Sequence, residues 1–178
     1  MAEIFTAGQH SGCYYNNVPM KTLLIMRHAK SSWDSKATTD HDRPLNERGE
    51  ADAPHMGTVL KTHDLVPVRI LSSTALRARR TAELVAEHSA YEGEIIYDRD
   101  IYNAGLDEFI ASLSRHLDDE DSAMIVGHNP GVSELLDFLT DSPEDMPTAC
   151  IAVVRLPIES WKDLDFETDG ELVQLLRP

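Results

Sequence analysis

Arg27 and His28 stand side by side at the end of a short apolar run, Leu23-Leu24-Ile25-Met26. Small and hydroxyl-bearing residues follow them in Ala29-Lys30-Ser31-Ser32-Trp33. The guanidinium is a permanent cation whose forked donors match phosphate oxygens. The imidazole is the side chain best suited to act as a neutral nucleophile near pH 7. Together they read as a phosphoryl-accepting histidine beside its phosphate clamp. The dipeptide alone fits a charged pair ending a strand equally well, so the reading depends on what the rest of the chain adds.

Two further apolar runs end in polar residues of the same kind. Val66 to Leu71 is followed by Ser72-Ser73-Thr74 and then by Arg77, in the first turn of a helical stretch. A cation there opposes the helix dipole and needs another reason, which an anion held by the free N–H groups of the helix start would supply. Arg79 and Arg80 fit a solvated basic face. Ala123 to Gly127 leads into His128-Asn129-Pro130-Gly131, where flanking glycines would let the backbone approach a ligand closely. A turn histidine explains His128 alone, but not His128 together with Arg27, His28 and Arg77.

The remaining residues of the right types point elsewhere. Of the 8 histidines, His55, His63, His88 and His116 fall on or beside helical stretches and are expected on solvated faces, while His10 and His41 fall in loops. No histidine pair has metal-ligand spacing. The turn Asp118 to Asp121 could hold Mg²⁺, but a solvated turn before a strand accounts for it, so no metal or cofactor is expected. Cys150 precedes the apolar run Ile151 to Val154 rather than a loop of amides, unlike a cysteine phosphatase. Asp163 and Asp165 follow Trp161-Lys162 in a charged region rather than ending the first buried strand, and there is no Gly-x-x-x-x-Gly-Lys loop.

Placing Arg27, His28, Arg77 and His128 together requires parallel strands whose C-terminal ends share one edge, where open α/β sheets bind ligands. Strands are expected at Leu23–Met26, Val66–Leu71, Glu94–Tyr97, Ala123–Gly127, Ala149–Leu156 and Glu171–Leu176. Helices are expected from Pro44 to about His63, Ala75 to Ala90, Leu106 to Leu117 and Val132 to Thr140. Pro44 suits a first helical turn, and Pro54 predicts a kink or a late start. Ser72-Ser73-Thr74 would cap the second helix. The alternation argues for a single three-layer α/β/α sandwich with a mostly parallel sheet, allowing one antiparallel edge strand. Leu23, Leu24, Ile25, Ile70, Leu71, Ile125, Val126, Val153 and Val154 are expected in the core.

The chain has 178 residues, enough for one domain, and a formal net charge of −15. That charge disfavours nucleic acid and anionic membrane as partners, and makes a local cluster of arginines informative. The 2 cysteines, Cys13 and Cys150, form no disulfide framework, which favours a reducing, cytoplasmic compartment. No apolar run reaches membrane-spanning length. Residues 1–19 read as an irregular leader without a secretory signal, and residues 20–178 as the folded domain.

The motifs resemble those of the histidine phosphatase superfamily, and more closely its short SixA-type phosphohistidine phosphatases. The matching pieces are Met26 to Trp33, Asp42-Arg43-Pro44-Leu45 with Gly49, Ser72-Ser73 through Arg77-Ala78 and Thr81-Ala82-Glu83, and Gly127-His128-Asn129-Pro130. Ala29 stands where Gly is usual, Thr74 where Pro is common and Arg80 where Gln is common. The resemblance implies a phosphoglycerate mutase-like fold and a phosphorylated nucleophile at His28. Arg27, Arg77 and a protonated His128 would hold the phosphoryl oxygens, joined by the Ser31 hydroxyl. It implies metal-independent hydrolysis of phosphohistidine on a phosphorelay or carrier protein. Hydrolysis of small phosphoesters is the alternative, and a phosphate-binding module without turnover a third reading. No carboxylate stands out as the acid that ester cleavage needs. Asp100, Asp107 and Glu108 fit helix caps or solvated faces.

Overall fold

The structure, a computed structural model, describes residues 19–33, 37 and 39–178. Met1 to Val18 of the expected leader lie outside those residues, as does Cys13.

Six strands form one sheet: β1 (Lys21–Arg27), β2 (Arg69–Ser73), β3 (Ile95–Asp98), β4 (Ser122–Gly127), β5 (Ile151–Leu156) and β6 (Glu171–Leu176), in the order β3-β2-β4-β1-β5-β6. β3, β2, β4 and β1 are mutually parallel. The antiparallel pairings gather at one side, where β5 opposes both β1 and β6. Side chains alternate across a strand, so the apolar run of β1 splits. Leu23 and Ile25 enter one core layer, and Leu24 and Met26 the other. The first layer packs under α3 (Leu106–His116) and α4 (Gly131–Thr140), the second under α1 (Glu47–Thr62) and α2 (Leu76–Ser89). All nine expected core residues are buried, none more than 2% exposed. A strand clothed on both faces must be apolar throughout, which is why β1 and β4 are the clearest strands in the sequence.

Three local details differ from expectation. β2 begins at Arg69, because Pro67 has no N–H for a sheet ladder, and it continues through Ser72 and Ser73, both fully buried. Those serines therefore end a strand instead of capping a helix. The N-cap of α2 is Ala75, and the Ser73 hydroxyl accepts the Ala75 N–H at 3.2 Å. Pro44 precedes α1 altogether. Asn46 caps that helix by accepting the Gly49 N–H at 2.9 Å, and the helix runs unbroken through Pro54 without a late start.

The acidic turn before β4 is tied down by cations. Lys162 pairs with Asp118, Arg69 with Glu120 and Lys21 with Asp121. Trp161, expected in a charged region, is fully buried and donates its indole N–H to the Glu120 carbonyl at 2.7 Å. His116 is likewise more than a solvated-face residue, since it contacts the buried Asp98 carboxylate at 3.0 Å. Among the described residues no helix is long and apolar enough to cross a membrane.

Candidate active site

Strand register assembles the site. β1 and β4 are parallel with Arg27 opposite Gly127, so the residues that follow, His28 and His128, emerge together. Their ring centroids lie 5.0 Å apart. β2 pairs with β4 with Ser72 opposite Val126, which carries Ser73 to the same level. The Ser73 hydroxyl meets His128 Nε2 at 2.8 Å. Arg77, in the first turn of α2, reaches back so that its Nε lies 3.3 Å from His28 Nε2. A cavity of about 200 Å³ opens here, lined by Arg27, His28, Lys30, Ser31, Trp33, Arg43, Arg77 and Thr148. His28, Arg77 and His128 thus converge at the C-terminal edge of the sheet, with Arg27 and Ser31 beside them. Four cations line the cavity of a chain whose net charge is −15.

The contacts of His28 fix its tautomer. Its Nδ1 lies 2.7 Å from the Ala29 carbonyl, which only accepts, so Nδ1 carries the proton. Nε2 then has the free lone pair, toward which the Arg77 Nε–H donates. The Ala29 amide is itself held by Thr81 Oγ1 at 3.0 Å, and that hydroxyl donates to the Arg77 carbonyl. Burial, together with the nearby charges of Arg77, Arg27 and Arg43, lowers the His28 pKa to about 4 against the support of the Ala29 hydrogen bond. Burial, with His28 and Arg77 close by, lowers that of His128 to about 2.

Without an anion beside it, burial, with His28 and Arg77 close by, holds His128 neutral; the protonated form expected with a phosphoryl group in place is a different state of the site. The His128 Nε2 pairs with the Ser73 hydroxyl, which also accepts the Ala75 N–H; in the tautomer where Ser73 O–H donates to Nε2, Nδ1–H is left as a donor. Among the described residues, two buried side-chain nitrogens have no hydrogen-bond partner, Arg27 Nε and His128 Nδ1. Both belong to the residues singled out in the sequence; Arg27 Nε–H is a donor outright, and buried, unpartnered nitrogens call for a ligand atom such as a phosphoryl oxygen.

These pKa values predict a titration. Nitrogen NMR of labelled histidine should find the His28 ring neutral at pH 6, protonated at Nδ1 alone, and charging only near pH 4. A His28 midpoint near 6.5 would refute the buried, arginine-flanked environment. The sign for stability follows. A histidine whose folded pKa lies below its unfolded value favours folding above the unfolded value, and that contribution fades as pH falls from about 6.5 through about 4.

Several contributors escaped the sequence reading. Asp40, next to His41 and given no role by its sequence pattern, bridges two arginines. Its carboxylate accepts from Arg43 at 2.7 Å, from Arg77 at 3.0 Å and from the Tyr102 hydroxyl at 3.0 Å, while its carbonyl accepts from Arg77 at 2.6 Å. Partial burial works against its charge, but the bonds from Arg43 and Tyr102 and the Arg77 charge outweigh it and hold the carboxyl at about 2. Arg43 also donates to Ser31 Oγ at 2.5 Å. The Tyr102 ring stands edge-on to His128, with centroids 5.5 Å apart. Asp40 and Arg43 are neighbours in one loop, but only the tertiary fold brings Tyr102 and Arg77 to them.

Two expectations about backbone groups change. The first amide of α2, Leu76 N–H, is taken by the His41 carbonyl at 2.9 Å, so Arg77 is explained by its side chain rather than by an anion on that amide. The bare face of Gly131 abuts protein. A Cβ there would stand 2.2 Å from the Ala104 carbonyl oxygen, and one on Gly127 would meet Val132 and Phe109. These glycines allow close packing of the chain on itself rather than close approach of a ligand. Arg80 pairs with Glu50 on the surface, as a solvated basic face requires. Glu108 caps its own helix at the Gly105 N–H, Asp100 pairs with Arg115, and neither they nor Asp107 line the cavity.

The profile of the histidine phosphatase superfamily (branch 1) matches residues 23–109 of the chain. An uncharacterised protein of Mycobacterium leprae is 34% identical over 161 residues, covering 83% of this chain and 96% of that one. A solved structure described as putative phosphohistidine phosphatase SixA from Nakamurella multipartitia superposes with a TM-score of 0.75 at 28% identity, covering 89% of this chain and 96% of that one. Another so described, from Agrobacterium tumefaciens, gives 0.74 at 27% identity, covering 89% and 98%.

Proposed function

Because the chain belongs to the histidine phosphatase superfamily, we propose that it hydrolyses phosphohistidine on a protein through a covalent intermediate on His28. The observation that carries this reading is the His28 ring. Its Nδ1–H is tied to the Ala29 carbonyl, and a pKa of about 4 leaves the Nε2 lone pair unprotonated at neutral pH. A neutral, oriented imidazole among fixed cations is the form that attacks phosphorus.

In the first step Nε2 of His28 forms a bond to phosphorus while the bond from phosphorus to the leaving nitrogen breaks. That nitrogen takes its proton from solvent. In the second step water attacks phospho-His28, releasing phosphate and regenerating the neutral ring. Arg27, Arg77, the Nδ1–H of His128 and the Ser31 hydroxyl hold the phosphoryl oxygens through both steps. An entering dianion raises the pKa of His128 and strengthens it as a donor. No step is assigned to a metal.

The leaving group follows from the chemistry of the nearby carboxylate. Asp40 is the carboxylate bonded to Arg77, which clamps the phosphoryl group, and to Arg43, and at a pKa of about 2 it has no proton to give near neutrality. An alkoxide, whose parent acid has a pKa of about 15.7 in the case of hydroxide, needs a proton as it departs. Imidazole, with a conjugate acid near about 6.5, is protonated by solvent and leaves neutral. A protein phosphohistidine is therefore preferred, aryl phosphates are slower, and alkyl phosphates slower still.

The test is kcat/KM for a phosphohistidine protein, an aryl phosphate and a sugar phosphate, expected to fall in that order. If the sugar phosphate is the best substrate, hydrolysis of small phosphoesters replaces this reading. Tight phosphate binding without a covalent adduct or turnover would instead leave a binding module.

A further inference from the structure

Trp33 is exposed to 77% at the mouth of the cavity that contains His28. It adds nothing to either core layer, yet the two residues before it are held and its ring is stacked. Ser31 forms an antiparallel bridge with Leu45, the Ser32 N–H donates to the Pro44 carbonyl at 2.9 Å, and Arg43 Nε donates to the Ser32 carbonyl at 3.0 Å. One face of the indole is covered by the Arg43 guanidinium, whose central carbon lies 3.6 Å from the ring centroid. The same guanidinium bonds Ser31 Oγ and the Asp40 carboxylate, so the stacked pair is anchored to the floor of the cavity.

We propose that Trp33, backed by Arg43, is a stacking shelf for the leaving group, and that it selects phosphoryl groups carried on a planar aromatic or imidazole ring. This rests on the assignment of the phosphoryl site to His28 and deepens it. The cationic floor recognises the phosphoryl group, and the indole recognises what the phosphoryl group is attached to. An offset or edge-on ring pair at centroid separations of about 4.5–7 Å adds affinity beyond area burial. A protonated phosphohistidine ring gains the attraction of a cation to the indole face as well. A sugar or a simple alkyl carrier gains neither. A flat ring backed by a bonded guanidinium is also restricted before the substrate arrives, which lowers the ordering cost of binding.

The test separates ring recognition from catalysis by using non-hydrolysable ligands. Equilibrium affinities of phenylphosphonate and methylphosphonate are measured for the wild-type chain, Trp33→Ala and Trp33→Phe. Phenylphosphonate should bind wild type about 3- to 10-fold more tightly than methylphosphonate. The ratio should collapse toward one in Trp33→Ala and be largely kept in Trp33→Phe, with methylphosphonate affinity little changed. A preference that survives in Trp33→Ala, or a wild type with no preference, overturns the shelf, as does failure to bind either ligand. Turnover is scored separately with the substrate panel described above. An enzyme that cleaves those substrates but ignores the ring refutes the shelf alone. One that prefers the ring but turns nothing over refutes the phosphatase reading alone.

Discussion

Replacing His28 with Ala is expected to lower kcat on a phosphohistidine protein or an aryl phosphate by at least about 10⁴-fold, the scale at which loss of a covalent nucleophile is felt. Affinity for phosphate or tungstate should persist in part, because Arg27, Arg77, Ser31 and the His128 Nδ1–H are untouched. His28 is buried but small, and its ring contacts are the Ala29 carbonyl, Arg77 and the His128 ring, so the variant should fold. Its circular dichroism and melting curve establish that before activity is compared. Brief mixing of wild type with labelled substrate and acid-free quenching should trap an alkali-stable, acid-labile phosphohistidine at position 28. Activity of the His28→Ala variant within tenfold of wild type would sink the covalent mechanism.

The second large effect is at Arg77. Its Nε faces the His28 nucleophile while its two terminal nitrogens are held by the Asp40 carbonyl and carboxylate. The guanidinium is thereby fixed edge-on to the point where phosphorus must sit. Arg77→Ala should cost about 10²–10³-fold in kcat/KM, as removing a pre-aligned donor to a developing oxyanion does. Arg77→Lys should recover little, since a lysine supplies charge without the fork that lets one group serve both Asp40 and the phosphoryl oxygens. The inhibition constant of tungstate should weaken in both variants. Retention of wild-type kcat/KM in Arg77→Lys would mean that charge alone matters, and that the Asp40 contact has no part in catalysis.

The order of strands, helices and polar strand ends is legible along the chain because each depends on nearby residues. A strand buried on both faces must be apolar along its length, as Leu23–Met26 and Ala123–Val126 are. The bounds of β6 agree with its sequence pattern residue for residue. Boundaries set by a single hydrogen bond are less legible. Whether Ser73 ends a strand or caps a helix depends on which donor reaches its hydroxyl, and both Ala75 N–H and His128 meet it.

By itself, then, the sequence determined which residue types stand at the ends of the parallel strands, and so where a phosphoryl group would be received. Covalent order and local periodicity are enough for that. Tertiary structure decided the rest. It set the register that puts His28 5.0 Å from His128, the loop that delivers Asp40 to Arg77 and Arg43, and the burial that keeps both histidines neutral. The reason is physical. Protonation, orientation and charge balance depend on dielectric surroundings and on partners tens of residues away, such as the 37 positions separating Asp40 from Arg77, and no local pattern in the chain encodes them.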